Sequence, residues 1–79
     1  MLLNTLSDMS ELKMREAMRR MKRPELMMIL ASYLLEEKGI KVTDEKQLTE
    51  VMEENFMDSV AREDLMVEII NSRQRLGFG

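Results

Sequence analysis

Six cations crowd into eleven residues: Lys13, Arg15, Arg19, Arg20, Lys22 and Arg23, interrupted by a single acid, Glu16. This segment carries a charge of +5, and the rest of the 79-residue chain carries −8, for a net −3. A cationic helix face can neutralise phosphates and release their counterions, or it can meet acidic protein surface. The chain has no histidine and no cysteine, so the Ser-His and Cys-His arrangements that activate nucleophiles cannot be assembled within it. An enzyme is therefore not expected. Glu54 and Asp58, four residues apart, are the best-spaced carboxylates for a hard cation, but no D-x-D-x-D-G loop accompanies them. No glycine-rich phosphate loop is present, and neither a metal nor a cofactor is expected.

Nucleic acid is the weaker reading of the basic segment. Net charge is negative, and only Tyr33, Phe56 and Phe78 are aromatic, whereas single-strand binders stack bases on aromatic rings. A helix-turn-helix is disfavoured because the connection after the second helix is too long for the tight turn and the third helix is acidic. The preferred reading is a small regulator or adaptor that binds another protein. Ten methionines provide unbranched, polarizable side chains suited to adaptable surfaces as well as cores. Met14, Met18, Met21, Met27 and Met28 could line a groove for an amphipathic helix. Met9, Leu12, Met27 and Met28 are the apolar interaction candidates, Met9 and Leu12 because they fall off the main apolar stripe of their helix. The cations, in turn, would form the face that meets an acidic partner, a second copy or phosphate.

The elements that hold these residues are helices. Good helix formers dominate, and there are only three glycines and one proline. With 44% hydrophobic and 34% charged residues the balance is globular, and no apolar run reaches the roughly 18 residues of a membrane span. The expectation is an all-α compact bundle of about four short helices in a single domain, 1–79. Absence of cysteine suits a reducing cytoplasm, and the start MLLNTLSD lacks the basic end and long apolar core of a secretory signal.

Asp8 and Glu11 have capping-box spacing, which predicts a first helix from about Ser7 or Asp8 to before Pro24, with Met14, Ala17, Met18 and Met21 inward and Leu3 and Leu6 joining them if it starts earlier. Pro24 and Gly39 bracket a second helix, roughly 24–37. Leu26 to Leu35 are apolar nearly all round it, leaving a strip of Glu25, Ser32 and Glu36. Such a helix needs cover on several sides, and so small a chain predicts a homodimer to provide it. Thr43 is the expected cap of a third helix that buries Leu48, Val51, Met52 and Phe56. One continuous helix from 44 to about 75 fits the pattern too, but a break near 55–59 is preferred, before a last helix burying Ala61, Leu65, Met66, Ile69, Ile70 and Leu76, with Asp64, Glu68, Asn71 and Arg75 outside and Gly77-Phe78-Gly79 ending it.

Overall fold

The computed structural model describes residues 10–77. Among these described residues four α-helices follow one another: α1 Glu11–Arg19, α2 Arg23–Glu37, α3 Glu45–Glu54 and α4 Arg62–Arg75, with a 3₁₀ turn, Met57–Ser59, between α3 and α4. No strand occurs among the described residues. The fold is all-α, as composition and periodicity predict. Its radius of gyration, 11.6 Å, is that of a tightly folded chain of this length, about 11–12 Å.

Each helix boundary has a local cause. Ser10 caps α1: its side chain accepts a hydrogen bond from the Lys13 amide at 3.3 Å. Asp8, Leu3, Leu6 and Met9 lie outside the described residues. Pro24 sits in the first turn of α2, where a missing amide costs nothing. The other end of α2 closes in a Schellman motif, in which the Ile40 amide donates to Leu35 O at 2.9 Å and the Gly39 amide to Glu36 O at 3.0 Å. That motif requires φ > 0 at Gly39, observed at +76°. Asp44 caps α3 in place of the expected Thr43, because the Asp44 carboxylate accepts from the Gln47 amide while Gln47 Oε1 accepts from the Asp44 amide, at 3.2 Å each. The Thr43 amide joins the same oxygen at 2.6 Å.

The core is built around α2, which packs against α4 and α3 of its own chain. Leu26, Met27, Ile29, Leu30, Ala31, Tyr33 and Leu35 are buried along it. Met14 and Met18 meet them from α1, Leu48 and Val51 from α3, Met57 from the 3₁₀ turn, and Leu65, Ile69 and Ile70 from α4. The cover that an apolar helix needs on several sides thus comes from α3 and α4. Glu25, Ser32 and Glu36 do form the outer strip, and Met28 lies in it with them, 41% exposed.

Two expected core positions are corrected. Phe56 is 75% exposed because α3 ends at Glu54 and the chain turns left-handed at Phe56, φ 51°; the next residue, Met57, enters the core in its place, 1% exposed. Ala61 is exposed because it is the extended residue preceding α4. Met66 and Leu76 are half-buried, and Asp64, Glu68, Asn71 and Arg75 face outward as their spacing predicts.

Glu37 fastens the ends of α2 and α4. Its carboxylate accepts from Arg75 Nε and, at 3.2 Å, from Arg75 Nη2, and Ser72 Oγ donates to it at 2.8 Å. The Arg75 hydrogen bond, with Ser72 and the guanidinium charge adding to it, outweighs partial desolvation and holds the Glu37 pKa below the ordinary carboxylate value. A group with a lowered folded-state pKa contributes stability that is full above its unfolded pKa and is lost as pH falls through the folded one. Glu37→Gln should therefore lower the melting temperature at neutral pH, and its difference from the wild type should close on acid titration below about pH 4, as followed by circular dichroism.

Candidate functional site

Two arginines shape the end of the bundle where α1 turns into α2. Helix α1 finishes with i→i−3 bonds, Arg20 N to Ala17 O and Met21 N to Met18 O, both 3.1 Å, leaving a cluster of carbonyl oxygens at its negative end. Arg62, at the start of α4, reaches into that cluster. Its Nη2 donates to Met18 O at 2.6 Å, Arg19 O at 2.8 Å and Met21 O at 2.7 Å, and its Nε to Met21 O at 3.2 Å. Arg23, at the start of α2, makes the converse contact: its Nη2 donates to Asp58 O at 2.5 Å, to Met57 O at 3.4 Å and to Val60 O. Segments 18–23 and 57–62 thereby each lend an arginine to the other's carbonyls. Arg62 brings two nitrogens, Nε and Nη2, to Met21 O, a planar approach that an ammonium group lacks.

Beside this clasp lies a groove of about 300 Å³ between α2 and α3, lined by Pro24, Met27, Met28, Leu48 and Met52. That volume is at the small end of ligand pockets, about 300–1,000 Å³, and suits a few side chains of a docked segment. Glu45, Thr49 and Asp58 complete its wall, so its rim is acidic. Residues 44–58 as a whole hold six carboxylates and one lysine. Met27 is 7% exposed and belongs to the core as much as to the groove floor, whereas Met28 is open at the edge. Of the methionines grouped from sequence, Met14 and Met18 are fully buried and Met21 half-buried; they fill the core and do not reach the groove lining.

The basic segment divides into two kinds of residue. Lys13, Arg15, Arg19, Arg20 and Lys22 are exposed, and Arg23 is half-buried with its guanidinium turned to the clasp. Arg15 pairs with Glu11 at 3.7 Å across one helical turn, a contact of little energetic weight when both partners are half exposed. Among the described residues no ion pair holds Lys13, Arg19, Arg20 or Lys22. Leu12, 69% exposed, shares its face of α1 with Arg15 and Arg19 by helical spacing. Met9 lies outside the described residues. The cationic face and the acidic groove are thus separate surfaces.

Arg62, Glu37, Ser72 and Arg73 are structural residues absent from the sequence reading. Arg62 carried a signal: a cation in the first turn opposes its own helix dipole, which points to use elsewhere. Arg73, 3% exposed, continues the 66, 69, 70, 73 spacing of the apolar stripe. Among the described residues no group of three or more side chains is placed to hold a metal ion, and no helix is long and apolar enough to cross a membrane. No protein-family model, curated protein or solved structure matches the chain.

Arg62→Lys keeps the charge but loses the planar Nε–Nη2 pair that holds Met21 O from two nitrogens. It should destabilise the fold by about 1–2 kcal/mol in urea unfolding, and an unchanged midpoint would show that charge alone suffices.

Proposed function

We propose that this chain is a non-enzymatic regulator or adaptor that binds another protein through the apolar groove between α2 and α3. The observation carrying this reading is that groove: Met28 sits exposed in an otherwise polar strip of α2, opposite Met52, and flexible thioether side chains adapt to an incoming apolar segment. The cationic face of Lys13, Arg15, Arg19, Arg20 and Lys22 is a second surface, open to an acidic partner. That no ion pair holds Lys13, Arg19, Arg20 or Lys22 among the described residues is the observation that favours the alternative, a nucleic-acid-binding regulator. A homodimer is proposed as the working form, since so small a domain gains by burying more surface and Leu12 and Val67, 69% and 52% exposed, stand outside the groove. The cysteine-free composition suits a cytoplasmic setting.

Affinity capture by the full chain from its native host, compared across variants, tests the reading. Met28→Lys with Met52→Lys should lose about 90% or more of a captured protein, a cost above roughly 1.4 kcal/mol, while keeping the wild-type circular dichroism; Arg19→Glu with Arg20→Glu should retain it. Capture insensitive to the groove substitutions overturns the reading. Retention of nucleic acid that falls steeply with salt and vanishes in the arginine double variant would establish the alternative.

A further inference from the structure

Three helices end in a left-handed residue one position past the cap. After α2 it is Gly39, φ +76°, and after α4 it is Gly77, φ +83°; after α3 it is Phe56, φ 51°. The hydrogen bond is the same in all three, from that residue's amide to the carbonyl three positions back: Glu36 O at 3.0 Å, Gln74 O at 3.1 Å and Glu53 O at 3.2 Å. Glycine is the residue this position calls for, and a bulky side chain there is strained. The Phe56 ring contributes little to the core, since it is 75% exposed. Both the backbone and the side chain at this position therefore work against stability, the pattern that marks a functional residue.

We infer that Phe56 is the anchor of the binding surface, inserting into an apolar, basic segment of a partner protein whose own apolar side chains occupy the groove. This rests on the groove reading above. Phe56 lies four residues after Met52 and two before Asp58, which both line the groove. An aromatic ring that becomes fully buried on binding can carry a disproportionate share of the binding energy. The charge of the partner follows from the surroundings: residues 51–61 contain Glu53, Glu54 and Asp58 and no lysine or arginine, and the neighbouring Arg23 and Arg62 donate to carbonyls. Phosphate backbones and anionic lipid are repelled by that setting, and a second copy's groove carries the same acidic rim of Glu45 and Asp58. A segment bearing lysine or arginine beside its apolar residues is the complement.

The test uses short random peptides displayed on phage and selected against the full chain. Enriched peptides should be apolar with a net positive charge. Phe56→Gly should weaken them by about tenfold or more while raising the melting temperature by roughly 4 °C, so that stability and binding move in opposite directions. No enrichment, enrichment of acidic peptides, equal binding by Phe56→Gly, or a fall in its melting temperature each overturn the inference. Met52→Lys separates the two levels: peptides lost to Met52→Lys but kept by Phe56→Gly leave the groove reading standing and remove the anchor, whereas peptides kept by both remove both.

Discussion

The exchange of arginines between segments 18–23 and 57–62 is the constraint on which the rest of this small bundle depends. Helix α1 is short and packs chiefly through Met14 and Met18, and the 3₁₀ turn 57–59 is a single turn; neither can hold its place by helix propensity alone. Arg62 ties the end of α1 to the start of α4, and Arg23 ties the start of α2 to the turn that precedes α4. Each guanidinium spans more than thirty residues of sequence, by the separations of 34 to 44 in these bonds. Each meets carbonyls at a helix end or turn, where regular secondary structure leaves acceptors over; Met18 O and Met57 O accept in addition from the Met21 and Val60 amides.

The groove inherits its shape from that corner. Pro24 adjoins Arg23, and Asp58 supplies one of the carbonyls Arg23 holds, so one wall and part of the rim are set by the clasp. Phe56 is presented from the same turn: the left-handed residue swings its ring outward while Met57 enters the core. At the opposite end of α2, Glu37 with Arg75 and Ser72 performs the corresponding task between α2 and α4. A bundle pinned at both ends of its central helix leaves the α2–α3 side free to carry an apolar groove without loss of the core.

Much of this was legible in the sequence, and the residues that were not share one reason. Pro24, Gly39 and the near-continuous apolar run from Leu26 to Leu35 locate α2 and its central place, because capping chemistry and periodicity are local. The break near 55–59 is legible for the same reason. The roles of Arg23 and Arg62 are not, since a guanidinium's partner carbonyls belong to a turn more than thirty residues away, and no local pattern distinguishes a clasping arginine from a solvated one. Arg23 accordingly groups with the cationic face by spacing, although its donors face inward. Phe56 misleads for a related reason: helical spacing from Leu48 and Met52 carries it into the stripe, and a helix ending two residues earlier turns it out. Met28 is the reverse case: its apolar side chain groups it with the run from Leu26 to Leu35, yet it shares the helical register of Glu25, Ser32 and Glu36 and lies exposed in their strip.

The most direct test is a double-mutant cycle on Arg23→Ala and Arg62→Ala, measured by urea unfolding. Both side chains serve the same junction between the same two segments, so either loss frees the corner the other supports. The second substitution should then cost less in the background of the first, with an interaction energy of about 1 kcal/mol or more, well beyond the few tenths expected of independent sites. Additive costs would contradict a shared clasp and reduce the two arginines to separate local contacts.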